Sequence, residues 1–295
     1  MTPRQALSLA LLRAMPRRPR KRRLPRQIPA KLIEAEYARA VVALVMPPLR
    51  RALAPLLEAL PHLLASAADA RQDVEIVNGA DAPRHDAGEG RRVHEMVAVA
   101  QDVLDGAITQ EGIERLAAEF ARKTSTYQRV QIARQTRAAL GTDVLVTDRA
   151  VAPLVEGFVA ENVALIKDVP AKILGQVEQA VTRGVANAAL HKDLAVEIRG
   201  IMRIGEKRAR FIARDQVGKF YGVVNDARIR SMGVDEFEWA TSHDERVRPA
   251  HRALDGRRFK VGIGHETEGI PGAAILCRCH EIPVFDSLLA ELDKL

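Results

Sequence analysis

Trp239-Ala-Thr-Ser-His-Asp-Glu-Arg-Val-Arg-Pro-Ala-His-Arg-Ala-Leu-Asp-Gly256, followed by Pro271-Gly272 and Cys277-Arg278-Cys279-His280, is the stretch that decides how this 295-residue chain ends. The apolar run Phe237–Trp239 reads as a strand that gives way to Thr241 and Ser242. On a backbone that stays extended, Asp244, Arg246 and Arg248 then alternate on one side, so an acid and two bases share a face. Pro249 stands where a helix begins, because its missing N–H costs nothing at a first-turn position. His251 and Leu254 would share one face of that short helix, and Asp255-Gly256 would close it. Residues 281–285 read as a last strand. Strand, short helix and strand predict a small α+β end.

Upstream of residue 236 the chain reads differently. Hydrophobic residues make up 47% of the sequence but aromatic ones only 4%, so the core is built mainly from Ala, Val, Leu and Ile. Alanine is the best helix former, and β-branched and aromatic clusters are scarce before residue 236. The predicted fold class is therefore mainly α with a small C-terminal α+β domain. Leu32, Ile33, Ala40, Val41, Leu44 and Val45 recur at helical spacing, a break is expected at Pro47-Pro48, and a second run carries Leu53, Leu56, Leu57, Leu60 and Leu64. Leucine stripes of this kind form core or partner-helix faces. Residues 69–92 collect Asn78-Gly79, Pro83, Gly88 and Gly90 and read as a linker. Helices are expected over 93–107, 109–140, 147–167, 169–186, 192–202 and 205–232. Thr109 and Asp168 serve as caps in this reading; Gly141, Gly184, Gly200 and Gly205 stand at ends or joins. The division that results is a basic arm over 1–29, a helical interaction region over 30–204 and an α+β domain over 205–295.

The formal charge of +7 and the pI near 9.7 point to an acidic partner. Much of the charge is one block, in which Arg17, Arg18, Arg20, Lys21, Arg22, Arg23 and Arg26 occur with no acid among them. Pro16, Pro19, Pro25 and Pro29 hold that block extended, after a short amphipathic helix expected over 1–14. Such an arm suits a phosphate backbone or an acidic groove on another protein. Only two cysteines argue against a disulfide-stapled secreted fold and for a reducing compartment. No uninterrupted apolar run approaches the ~20 residues of a membrane helix. The basic residues follow the apolar run of 6–14 instead of preceding it, so no export signal is expected. Gly-rich phosphate loops, G-x-S-x-G and H-E-x-x-H are absent from the sequence, which removes the mechanisms such signatures reveal.

The order Asp244-x-Arg246-Val-Arg248-Pro-x-His251-x-x-Leu254-Asp255-Gly256, then Pro271-Gly272, then Cys277-Arg278-Cys279, resembles the C-terminal domain of the phage Mu F-type head morphogenesis family, minor capsid proteins of tailed phages. The resemblance covers roughly the last ninety residues and begins with the helix over 208–232. It implies a protein needed for head assembly, with the portal protein and major capsid or scaffold proteins as partners and several copies around a symmetric vertex; in such a particle the basic arm would contact packaged DNA or an acidic face of a partner. It implies a place in the head interior or at the portal vertex after assembly in the bacterial cytoplasm. No enzymatic activity and no membrane partner follow from it.

Three readings of the C-terminal constellation stay open at this level. In the first, Asp244 and Arg248 form an ion pair bridging strand and helix, His251 is a satisfied core histidine, the cysteines are small buried hydrophobes and Asp255 belongs to the turn. In the second, Cys277 and Cys279 with His251, and His243 or His280 as a further ligand, hold a structural zinc ion. In the third, His243, Asp244 and His251 serve a metal-dependent nuclease or another hydrolase acting on DNA. A plain nucleic-acid-binding protein, working through its arm, is a further alternative. Arg214 and Asp215 are the helix pair expected to stand behind this constellation.

Overall fold

The computed structural model describes residues 24–76, 86–141, 150–187, 189–287 and 290. Within them six helices are formed, α1 (Lys31–Ile76), α2 (Asp86–Ala107), α3 (Gln110–Leu140), α4 (Ala152–Ala186), α5 (His191–Ser231) and α6 (Pro249–Leu254), with strands β1 (Glu236–Ala240), β2 (Arg258–Lys260) and β3 (His280–Val284). The protein is mainly α with a small C-terminal α+β part. It divides into two compact units, one assembled from Met1–Tyr37, Arg115–Glu161 and Ala213–Leu295, the other from Ala38–Glu114 and Asn162–Ile212.

The second unit is helical and lacks three expected breaks. Helix α1 runs through Pro47, Pro48, Pro55 and Pro61. Pro47, Pro55 and Pro61 lie on its exposed side, as do Ala43, Arg51 and Leu57, whose carbonyls lose their partners to them, so water can take those bonds. On the other side Val45, Leu49, Leu53, Leu56 and Leu60 are buried, and burying each is worth roughly 1.5–3 kcal/mol, enough to hold the helix together across the prolines. Residues 31–68 are also long and apolar enough to cross a membrane when averaged over their scattered charges, and 44% of that window is buried inside the protein.

Helix α4 passes uninterrupted through Asp168 and Pro170. Asp168 pairs with Lys172 one turn on (2.7 Å) and with Arg208 (3.5 Å) instead of capping an end. Helix α5 likewise passes through Gly200 and Gly205. A Cβ on Gly205 would lie 2.1 Å from Ile173 Cδ1, so this glycine allows close packing where a join was expected; Gly184 stands in the last turn of α4, where an end was expected, and a Cβ there would lie 2.9 Å from Leu194 Cδ2. The linker expected over 69–92 is helical at 69–76 and 86–92; residues 77–85 lie outside the described residues. Thr109 does cap α3, its Oγ1 accepting the Gly112 N–H at 3.1 Å. Gly141 follows α3 with a φ of 76°, the left-handed conformation that glycine adopts most readily.

The first unit holds the sheet, with strand order β2-β1-β3 and both pairings antiparallel. Phe237 pairs with Phe259 on one side and Pro283 on the other. A proline fits in β3 because that strand is an edge, where one row of backbone groups has no ladder partner. Phe237, Trp239, Leu254, Cys277 and Cys279 form one apolar cluster. A second cluster gathers Ile132 and Leu140 of α3, Ile229 of α5, Met232, Val234 and Phe285. Helices are further joined by the ring pairs Tyr37–Phe120 (4.7 Å) and Phe158–Phe220 (4.8 Å).

A buried polar network runs through the same unit. Gln128, Gln131 and Gln135 recur at three and four residues on one face of α3 and are all buried. Gln27 Nε2 donates to Gln135 Oε1 (2.9 Å) and to Asn225 Oδ1 (2.8 Å), and Gln27 Oε1 accepts from the Tyr221 hydroxyl (2.7 Å). Gln135 Nε2 donates to Pro25 O and the Ile28 N–H donates to Gln131 Oε1. The segment that leads into α1 is thus pinned by side chains of α3 and α5, which take up the Pro25 carbonyl and the Ile28 N–H.

Candidate functional site

The chain leaves β1 at Ala240 and turns instead of continuing as a strand. Asp244 Oδ1 accepts the Arg246 N–H (3.0 Å), a local turn bond that competes with extended structure. The expected Asp244–Arg248 pair is not the one formed. Arg278 grips both carboxylate oxygens of Asp244, one bond measuring 2.6 Å, and this planar two-point pairing is the geometry a guanidinium favours. Arg248 stands at the head of α6 and donates instead to Ile275 O (2.6 Å). Arg246 is exposed, 3.9 Å from Glu245. The Asp244 carboxyl is held below its ordinary pKa, chiefly by Arg278.

Asp255 belongs to the turn and does more than close it. It accepts the Thr241 N–H (2.7 Å) and hydroxyl (2.9 Å), and its other oxygen lies 2.7 Å from His243 Nε2 and 3.4 Å from Arg26 Nη2. Burial opposes its ionisation, but these donors outweigh it and bring its pKa down to about 2. His243 has a φ of 55°, and this conformation, uncommon for a side-chain-bearing residue, accompanies its contact with Asp255. Arg26 also donates to Thr241 O (2.9 Å), so the last residue of the basic block is engaged within this unit. Arg17, Arg18, Arg20, Lys21, Arg22 and Arg23 lie outside the described residues, as does the helix expected over 1–14.

His251, Cys277 and Cys279 converge. His251 Nδ1 is 3.4 Å from each cysteine sulfur, and the three side chains are 2%, 7% and 6% exposed. On its other edge His251 Nε2 lies 2.8 Å from Glu268 Oε2, and its ring stands edge-on to Trp239, centroids 5.3 Å apart. The Cys279 N–H points at Cys277 Sγ (3.4 Å). Hydrogen bonding from the Cys279 thiol, helped by backbone N–H groups, draws the Cys277 pKa down, whereas the same contact pushes that of Cys279 up. His280 does not join them. Its Nε2 accepts the Gln27 N–H (3.0 Å), and burial draws its pKa down to about 3.

The backbone that carries the cysteines is fixed from three sides. Asp215 of α5 accepts the Leu276 N–H (2.7 Å) where Leu276 takes a φ of 52°; Arg248 holds Ile275 O; Arg278 holds Asp244. Asp215 also pairs with Lys219 (2.9 Å). Just before this, Pro271-Gly272 presses on Gly218 and Gly222, one turn apart on α5. A Cβ on Gly222 would meet Pro271 O at 2.6 Å. Sequence reading missed Glu268, Gln27 and this glycine pair. The spacing Gly218-x-x-x-Gly222 and the glutamine stripe of α3 were visible signals, but nothing in the sequence distinguishes Glu268 from a surface acid.

Helix, three-stranded sheet and a buried histidine–cysteine cluster braced by ion pairs define a compact α+β module that ends a helical chain. Residues 172–282 match the family model described as Phage Mu protein F like protein, so that segment is similar to the Mu F-like family. The chain is 32% identical over 177 residues to an uncharacterized protein of Haemophilus influenzae, covering 59% of this chain and 40% of that one. It is 30% identical over 107 residues to an uncharacterized protein of Methanocaldococcus jannaschii, covering 36% of this chain and 17% of that one. The chain thus spans less than half the length of these curated relatives. No solved structure matches it significantly.

Proposed function

We propose that the protein is a head morphogenesis component of a tailed phage or phage-derived particle, a minor capsid protein that attaches to the portal vertex. The observation that carries this reading is the Mu F-like match over residues 172–282. Its part from residue 213 onward falls on a module whose polar side chains are spent on bracing one another. His251 and both cysteines are nearly inaccessible, so a polymeric substrate has no route to them, and this favours a docking module over a nuclease. The basic block over 13–26 supports a second contact, with packaged DNA or an acidic face of the particle, that weakens steeply with salt.

The test is co-assembly. The full chain, expressed with the portal, capsid and scaffold proteins of its own particle, is expected to co-sediment with heads in a few copies, and Arg278→Ala is expected to lower its recovery there. Absence from purified heads and from portal complexes would overturn the reading. DNA contact is tested separately, by mobility shift at low and high salt with and without residues 1–23. Retention of the shift in the truncated chain would remove the arm from that role. Plasmid cleavage that is lost in His251→Ala would install the hydrolase alternative.

A further inference from the structure

We propose that His251 Nδ1, Cys277 Sγ and Cys279 Sγ bind a zinc ion, with water in the fourth position, and that the ion staples α6 to the segment entering β3. Among the described residues these are the histidine, cysteine and carboxylate ligand atoms that gather within 4.8 Å of one another. The donor set suits zinc, which takes thiolate and imidazole together in tetrahedral geometry. Zn–S bonds of about 2.3 Å and Zn–N bonds of about 2.05 Å at a tetrahedral angle place sulfur and nitrogen roughly 3.5 Å apart. Both sulfurs stand 3.4 Å from the nitrogen.

Distance alone fits an S–H···N hydrogen bond as well. A neutral imidazole offers one in-plane lone pair, so in a metal-free cluster a single thiol can donate to Nδ1 while the Cys279 thiol turns to Cys277 Sγ. A cation at the centre satisfies all three atoms. The surroundings are those of a ligating histidine. Glu268 Oε2 accepts a hydrogen bond from His251 Nε2–H at 2.8 Å, which fixes the tautomer with its lone pair on Nδ1 and orients the ring toward the sulfurs. The Cys279 N–H aimed at Cys277 Sγ is a donor suited to a thiolate. Trp239 Nε1, buried beside the cluster with no oxygen or nitrogen partner, belongs to the same apolar group as both cysteines.

The other three histidines near this end, His243, His265 and His280, are engaged with Asp255, with the Thr267 and Glu268 N–H groups and with the Gln27 N–H, so the protein supplies three ligands. Binding releases the thiol protons to solvent, leaving two thiolates to offset the ion's charge, and the thiols are not oxidised. A Cys-His-Glu arrangement for nucleophilic catalysis uses the same three residue types. It assigns no role to the second sulfur and needs access that the burial denies.

The experiment uses the full chain purified under reducing conditions in zinc-supplemented medium. Elemental analysis is expected to find about one zinc per chain, and a tenth or less in the Cys277→Ser/Cys279→Ser double variant. Cobalt substitution is expected to give sulfur-to-cobalt charge-transfer bands together with the visible bands of a four-coordinate ion. Glu268→Gln, which keeps the fold's volume, is expected to weaken zinc affinity by roughly 10–100-fold in a chelator competition. Trp239 fluorescence checks that each variant is folded. Zinc content equal in the double variant and the parent would overturn the proposal. So would a reduced parent that takes up no zinc or cobalt while one of its thiols reacts with iodoacetamide at a rate dependent on Glu268.

Discussion

Gln27→Ala removes the side chain on which the buried polar network converges. Gln27 is 4% exposed, and its amide gives two hydrogen bonds and takes a third, to Gln135, Asn225 and Tyr221. Asn225 keeps a donor in Gln128 (2.6 Å), but the Tyr221 hydroxyl and Gln135 Oε1 lose theirs inside the protein. Each buried polar atom left without a partner costs about 1–3 kcal/mol, so a loss of roughly 2–5 kcal/mol is expected once the small cavity is included. Trp239 is the protein's single tryptophan and is fully buried in the same unit. Urea denaturation followed by its fluorescence therefore reads that unit specifically, whatever the other unit does. A shift corresponding to less than 1 kcal/mol, with an unchanged slope, would refute the idea that Gln27 fastens the N-terminal segment. Gln27→Leu separates shape from polarity. It restores volume without donors, and its destabilisation should remain above 1 kcal/mol.

Gly222→Ala should destabilise by roughly 1–2 kcal/mol, since a Cβ 2.6 Å from Pro271 O forces overpacking that exceeds the ~1 kcal/mol gain in helix propensity. Gly200→Ala, with nothing within 4 Å, should instead raise stability by up to about 1 kcal/mol; thermal melts of the two variants check the contrast. Stability should fall on acidification in two steps. His280 has a pKa of about 3 when folded, so the unfolded chain binds its proton first and stability drains from about pH 6.5 downward; Asp255, about 2 when folded, adds a further loss below about pH 4. Denaturation midpoints from pH 8 to 4 should flatten in His280→Gln, whose amide oxygen still accepts the Gln27 N–H. Glu281 behaves in the opposite sense. Both its oxygens are buried without a hydrogen bond, and burial first, then Asp226, pushes its pKa well up, so its contribution is full below about pH 4.5 and is lost as pH rises. Glu281→Gln should therefore stabilise at pH 8 by about 1–3 kcal/mol and have little effect at pH 4, as urea titrations at the two values would show.

The fold class and the elements of the C-terminal module were legible because periodicity and turn chemistry act locally. Strands β1 and β3 and helix α6 fall within one or two residues of where Phe237, Pro249 and Gly256 place them. Further upstream the helix ends at 107, 140 and 186 were legible, but the breaks expected at Pro47-Pro48, Asp168 and Gly200–Gly205 are not formed, because proline and glycine carry two meanings that a sequence does not separate. Pro47 and Pro170 interrupt nothing, and Gly205 marks a close approach to Ile173. The site was half legible. The convergence of His251, Cys277 and Cys279 was among the expected sets, whereas the partner of Asp244 was assigned by proximity in sequence to Arg248 when the fold delivers Arg278 from 34 residues away. Glu268 was invisible for the same reason: its role depends on the chain returning to the far edge of the His251 ring.

That return also explains why the basic segment and the C-terminal module belong to one argument. Arg26 closes on Asp255 and Thr241 O, and the Gln27 N–H closes on His280, the residue after Cys279. A pull on the chain ahead of Arg26 is therefore delivered first to the turn that carries Asp255 and to the start of β3. Capture of the arm by a phosphate backbone or an acidic surface would load the same residues that shape the module. Loosening the anchor would lengthen the free chain and soften the module together. Arg26→Ala isolates this coupling, because it leaves Arg17–Arg23 available to a polyanion. If the two are joined, the variant should bind DNA at low salt as the parent does, yet no longer change Trp239 fluorescence on binding. An unchanged fluorescence response in Arg26→Ala would show that the arm and the module act independently.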